Sequence, residues 1–306
     1  MDAAAGSDVV PAGSSTSQSA HTSATGSLTQ NVAPVPGELS PGAEAPRYGS
    51  LMRLHVHRWG DPQAPPVVCL HGVMGHGGRF ARLAQTYLPD RHVVALDLRG
   101  HGVSGWEPPW DIATFVCDVC ETLDAEQVTQ ADVIGFSFGG RLAVELATAH
   151  PGRVRRLALL DPAIQLAPDV ALRFADDARS DVSFVDVDEA VAARLATLAH
   201  TPRELVEDDV AQALQAGVDG RLRYRVARSA VVAAYGEMAR PPALQASCPT
   251  LLVRAANGIV DDRQEELLRG AFGDRLTVVD VPGNHPVMWD AFAQTGEAVT
   301  AHLSHT

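Results

Sequence analysis

Not one lysine occurs among the 306 residues, so all 24 basic side chains are arginine. Chemistry that runs through an amine is thereby excluded: neither a Schiff base nor a serine–lysine dyad forms without an ammonium group to deprotonate. Cysteine is scarce too. Cys69, Cys117, Cys120 and Cys248 are too few to staple a chain of this length. Cys117 and Cys120 form a CxxC, but within an apparently helical stretch, Phe115–Leu123, with no thioredoxin-like strand leading into it. They read as small apolar residues on a helix face. Positive charge is in deficit: 37 acidic against 24 basic side chains leave a net −13. That is the wrong sign for a nucleic-acid groove or an anionic membrane surface. No apolar run reaches the roughly 20 residues of a membrane span. The N-terminus has neither the basic nor the apolar segment of a signal peptide, so a cytoplasmic location is expected.

What is present is enough apolar material, 46% of residues, for one large core or two smaller ones. Residues 1–46 are the exception. Ala, Ser, Gly, Thr and Pro dominate there, and such a segment buries too little surface to offset its ordering entropy, which predicts a disordered tail. Periodicity begins near Leu51. Leu51–Trp59 alternates as a strand, with His55 and His57 on one face, and a solvated face accounts for that pair. Pro66–Leu70, His92–Leu96, Ala131–Gly135 and Arg156–Leu160 are short apolar strands; helical stretches lie between them at Gly78–Leu88, Asp111–Leu123 and Phe138–Ala149. Strand and helix alternating through short links predict a mostly parallel sheet covered by helices on both faces.

From 163 to 247 the alternation stops, and the chain becomes acidic, alanine-rich and helical. It resumes with strands at Pro249–Val253 and Leu276–Val281 and helices at Gln264–Ala271 and Met288–Leu303. The expected organisation is an α/β core from 47–162 and 248–306, with an all-helical cap inserted over the carboxyl ends of the strands, where open α/β sheets bind ligands. Arg221-Leu222-Arg223-Tyr224-Arg225 within the cap reads as a solvated helix face.

Gly135-Phe136-Ser137-Phe138-Gly139 fits G-x-S-x-G, with a strand before it and a helix after it. A serine hydroxyl exposed on so sharp a turn needs a strained backbone and neighbours without Cβ atoms. The following helix aims its N-terminus at the site, which favours developing negative charge. Ser137 is therefore the candidate nucleophile.

With Leu70-His71-Gly72-Val73 and Asp97-Leu98-Arg99-Gly100-His101-Gly102-Val103-Ser104 preceding that turn, residues 50–304 resemble the α/β-hydrolases with a helical cap. The resemblance implies an oxyanion hole from the amides of Val73 and Phe138. It also implies a catalytic base at His285, in Gly283-Asn284-His285-Pro286, in the order serine, acid, histidine. His71 and His101 then shape turns, and His76 lies at the mouth. The acid has two places open to it. Relatives commonly carry it just after the strand at Pro249–Val253, where this chain has Gly258, with Asp261 and Asp262 three and four residues on. The other place is the end of the strand before the cap, which puts Asp161, ahead of Pro162, in the triad. Asp161 is favoured, with Asp261 or Asp262 as the alternative.

The pocket is expected to be mainly apolar, framed by Val73, Met74, Phe136, Phe138 and Trp106, with side chains of the cap above. That suits a small uncharged ester, thioester or lactone cleaved through an acyl-enzyme. A carbon–carbon bond hydrolase or a cofactor-free haloperoxidase would use the same triad, and a non-catalytic ligand-binding member of the fold is the reading of another class. No cofactor or metal is implied: the chain has no phosphate-cradling loop, and no His, Cys or Asp grouping has zinc-like spacing. The expected partner is a small-molecule substrate, with no nucleic acid and no membrane, and nothing in the sequence reports the oligomeric state.

Overall fold

The structure is a computed structural model that describes residues 52–198 and 201–304; the tail expected over 1–46 lies outside the described residues. Along the chain come β1 (Val56–Trp59), β2 (Pro66–Leu70), α1 (Ala81–Tyr87), β3 (His92–Leu96), α2 (Ile112–Ala125), β4 (Ala131–Phe136), α3 (Phe138–Ala149) and β5 (Val154–Leu160). The insertion holds α4 (Pro168–Ala178), α5 (Val187–Thr197), α6 (Arg203–Ala213), β6 (Leu214–Ala216), β7 (Leu222–Tyr224) and α7 (Arg228–Ala239). Then follow β8 (Thr250–Asn257), α8 (Asp262–Phe272), β9 (Leu276–Asn284), α9 (Val287–Asp290) and α10 (Phe292–Ser304).

Seven strands form one sheet in the order β1-β3-β2-β4-β5-β8-β9, with β1 antiparallel and the others parallel. The inner strands read as unbroken apolar runs because both faces are covered. Val68 and Leu70 point into a core with Phe115 and Leu142, whereas Val67 and Cys69 point into the opposite one with Leu83 and Val299. Each such side chain, fully removed from water, contributes about 1.5–3 kcal/mol. The strand order reverses between β2 and β4. A crevice therefore opens above their carboxyl ends, and the segments after β2 and β4 flank it.

The insertion is mostly helical, with one departure from the all-helical expectation. β6 and β7 pair as an antiparallel ribbon, Leu214 against Tyr224, through a turn with Gly220 at φ 76°. Arg221–Arg225, expected on a helix face, is largely the β7 strand: arginine alternates there with Leu222 and Tyr224 at a period of two, which suits a strand. Arg223 pairs with Asp219 at 2.8 Å instead of standing free. Helices α5 and α6 share a small core with Phe184, Val191, Val206 and Val210. Among the described residues no helix is long and apolar enough to cross a membrane.

Two histidines lock the loops at the crevice. The Leu98 amide donates to His71 Nε2 at 2.9 Å, which leaves Nδ1 to donate to the Gly72 carbonyl at 2.7 Å, so the neutral ring ties the ends of β2 and β3 together. His101 packs edge-on against it at 5.1 Å. The same loop holds the insertion, since Gly102 N donates to Arg225 O at 2.8 Å and Ala227 N to Gly100 O at 2.7 Å. Burial pushes the His101 imidazole down to about 4 and His71 well below its ordinary value.

An unfolded histidine titrates near 6.5, so between roughly pH 6.5 and 4 the unfolded chain takes up the proton that native His101 refuses. The stability held this way is complete above about pH 6.5 and declines as pH falls, by on the order of 3 kcal/mol once His101 titrates fully. Thermal midpoints measured from pH 7.5 to 4.5 should fall, and the slope should be shallower in His101→Asn. Equal slopes would mean that His101 is not the titrating group.

Candidate active site

Ser137 ends β4 and starts α3 at φ 54°, ψ −119°, a backbone region that L residues rarely adopt. The turn is possible because Gly135 and Gly139 face each other and β2. A Cβ on Gly135 would run into the Gly139 carbonyl, and one on Gly139 into the Leu70 carbonyl. Hydrogen bonds hold the strained residue from both sides: Ser137 N donates to Leu160 O at 3.2 Å, and its carbonyl accepts from Gly140 N at 2.9 Å and Ala163 N at 3.0 Å. Met74 (φ 61°) and Asp161 (φ 39°) are further non-glycine residues at positive φ. Ser137 and Asp161 directly follow β4 and β5, and Met74 lies in the loop after β2; such strain persists where the surrounding structure over-determines it.

Asp161 is fully buried at the end of β5. Its Oδ2 accepts from His285 Nδ1 at 2.6 Å and from Ile259 N at 2.9 Å, and its Oδ1 accepts from Ala255 N at 3.2 Å. The ionised form thus has three donors in place of water. With its Nδ1 proton committed to the carboxylate, His285 keeps Nε2 as the free acceptor. The histidine loop is itself braced: Asn284 donates to Asp290 Oδ2 from its backbone at 3.1 Å and its side chain at 2.9 Å. Thr201, from the insertion, donates to Asp290 Oδ1 at 2.6 Å. Phe136 stacks on the imidazole at 4.7 Å.

The alternative acids are elsewhere. Asp261 caps α8, accepting from Gln264 N at 2.8 Å, and the Asp262 side chain is fully exposed. Gly258 has a steric reason for lacking a side chain, because a Cβ there would collide with both carboxylate oxygens of Asp161. The space that a carboxylate after β8 would need is taken by the one at the end of β5.

Ser137, His285, Val73, Met74 and Phe136 line a single cavity of about 460 Å³. Phe138 does not join them through its side chain, which is buried in the core against Phe115; its amide is the first of α3 and has no intrahelical acceptor. Trp106 is also absent from this wall. It lines a neighbouring groove with Arg223, Tyr224 and Arg228, which meets the cavity at Met74. The insertion covers the cavity as expected, through residues that the sequence did not single out: Leu166, Phe174, Arg194, Leu198, Tyr235 and Met238. Spaced apolar residues on alanine-rich helices carry no signal of what they face. Arg79, after β2, was also missed; it donates to Met74 O at 3.1 Å and so holds the loop that carries Val73.

His55, His57 and Asp97 gather their potential ligand atoms within 4.8 Å. Asp97 is already engaged, accepting from Gly77 N at 2.7 Å, from Val103 N at 2.9 Å and from His57 Nε2 at 3.0 Å. Burial alone would raise this carboxyl, but those hydrogen bonds hold it below the usual carboxylate range. The group braces the loop after β3. Cys117 and Cys120 sit on α2 as free thiols, and burial pushes Cys120 up to about 11, away from redox reactivity.

The sequence pattern of a known family, described as the alpha/beta hydrolase fold, matches residues 65–292. Lipase LipV of Mycobacterium tuberculosis is 32% identical over 242 residues, covering 78% of this chain and 92% of that protein. Serine hydrolase-like protein 2 of Homo sapiens is 26% identical over 314 residues, 91% of this chain and 98% of its own. Among solved structures, E-2-(acetamidomethylene)succinate hydrolase superposes with a TM-score of 0.76 at 22% identity, over 83% of this chain and 96% of that one, a likeness of fold.

Gly258→Ala should leave the protein folded while displacing the Asp161 carboxylate, and the closest assay is the imidazole N–H exchange rate of His285. Faster exchange than in the parent is expected; an unchanged rate would show that the glycine is not required by the acid.

Proposed function

This chain belongs to the α/β-hydrolase fold family, and on that premise we propose that it is a serine hydrolase of carboxylic esters that works through an acyl-enzyme. The observation that carries the proposal is the 2.6 Å contact between Oδ2 of the fully buried Asp161 and His285 Nδ1. It leaves the other imidazole nitrogen free, in a cavity shared with a serine on a strained turn. The proton transfer between His285 and Ser137 is the inferred half of this relay.

In the proposed reaction, His285 Nε2 takes the Ser137 proton as Oγ attacks the ester carbon. Asp161 stabilises the imidazolium, which then protonates the departing alcohol. The amides of Val73 and Phe138 receive the developing oxyanion, each worth roughly 3–4 kcal/mol in hydrolases of this type. A water activated by the same imidazole releases the acid and restores the serine. The named relatives, a lipase and a serine hydrolase-like protein, support the ester class. Val73, Phe136, Leu166 and Met238 suit a mainly apolar ester body.

A fluorophosphonate should label the parent protein at one residue, Ser137, and Ser137→Ala should abolish labelling. Asp161→Asn should cut p-nitrophenyl ester turnover roughly 10²- to 10⁴-fold with the circular dichroism spectrum unchanged. Labelling at another residue, or near-normal turnover in Asp161→Asn, would overturn the assignment.

A further inference from the structure

The chain carries 37 acidic side chains against 24 basic ones, yet the wall of the Ser137 cavity has two arginines, Arg79 and Arg194, and no carboxylate. The two guanidiniums differ in one respect. Arg79 is fully paired: Nε donates to Asp209 Oδ1 at 2.5 Å and Nη2 to Asp209 Oδ2 at 2.8 Å, and the cation lies 5.5 Å from the centre of the Trp289 ring. Asp209 spends the rest of its capacity on His76, whose Nε2 lies 3.0 Å from Oδ1. Burial alone would raise the Asp209 carboxyl, but Arg79 and His76 hold it below the usual range, so it stays an anion hydrogen-bonded to those two partners.

Arg194, on α5, has no such partner: among the described residues no carboxylate lies within ion-pair distance of its guanidinium, although it faces the same cavity. Its surroundings press on its charge. Burial is the larger cause and the nearby Arg79 the next, and together they outweigh the attraction of Asp209 and move its pKa down from the arginine value. A guanidinium does not answer such pressure by giving up its proton. It stays charged, and a part-buried cation with no carboxylate beside it gains most from an anionic partner.

We infer that Arg194 is a specificity-determining residue that receives a carboxylate on the substrate, so that the esters this protein cleaves carry a free acid group at the end facing the insertion. A planar guanidinium matches a carboxylate bidentately, and the one positive charge by which Arg79 and Arg194 exceed Asp209 matches one negative charge. The apolar wall between Arg194 and Ser137 would take the connecting chain. The inference replaces the uncharged substrate expected from the sequence, and it rests on the hydrolase reading for the reaction but not for the binding.

Two series test it: monomethyl against dimethyl esters of linear C4–C8 dicarboxylic acids, and O-acetyl ω-hydroxy acids of the same lengths against their methyl esters. Turnover is measured with the parent, and affinity with Ser137→Ala by titration calorimetry. For at least one length the acid-bearing ester should have the higher kcat/KM, by roughly 10- to 100-fold, as expected for a charged hydrogen-bonded pair. Arg194→Gln should collapse that ratio toward one, and Arg194→Lys should restore part of it, which a merely structural arginine would not do. Neutral esters matching or beating their acid partners at every length would overturn the inference, as would a ratio unmoved in Arg194→Gln. If those neutral esters are hydrolysed, the hydrolase reading stands alone. If nothing is hydrolysed but acid-bearing esters bind Ser137→Ala in an Arg194-dependent manner, the anion site stands and the hydrolase reading falls.

Discussion

The site depends on one contact, the 2.6 Å bond between the buried Asp161 carboxylate and His285. A carboxylate with no access to water must be fully served by donors, and here the Ala255 and Ile259 amides and the imidazole serve it. Those donors come from the end of β8, the loop after it, and the loop after β9. The contact therefore ties three neighbouring strand ends together. It also explains an absence: with the carboxylate reaching over from β5, residue 258 must be a glycine.

Rigidity supplies the rest. The strands beneath the site are packed on both faces, so the backbone at their carboxyl ends has little freedom to relax. Met74, Ser137 and Asp161 hold positive φ there against a cost of order 1–3 kcal/mol each. The neutral, doubly bonded His71 and the Asp97 group serve the same end by fixing the loops after β2 and β3. Charge follows the same logic beneath the insertion, where Asp209 pairs with Arg79 and, among the described residues, no carboxylate reaches ion-pair distance of Arg194.

Much of this was legible in the sequence. The strands β2 and β3 fall on the residues expected, because runs buried on both faces have no alternation to blur their ends. Gly135–Gly139 is readable because the turn admits so few residue types. Asp161 was readable as the carboxylate at a strand end, but choosing it over Asp261 and Asp262 needs the collision at Gly258, which exists only in three dimensions. Trp106 and the Phe138 side chain were misplaced because hydrophobicity says that a residue is covered, not what covers it. The three-residue strands β6 and β7 hid in a helical context, although the alternation around Arg223 carried their period. Arg194 gave no signal, since an arginine on a polar helix is ordinarily solvated.

The central claim is that a shared proton joins Asp161 to His285 and leaves the other ring nitrogen as a base for Ser137. Proton NMR of the nitrogen-15-labelled protein reads that proton directly. An imidazole N–H resonance far downfield of the amide region, coupled to His285 Nδ1 and shifted upfield or lost in Asp161→Asn, is the result expected of a short charge-assisted bond. A His285 ring protonated on Nε2 instead, with no downfield signal from Nδ1, would contradict the account.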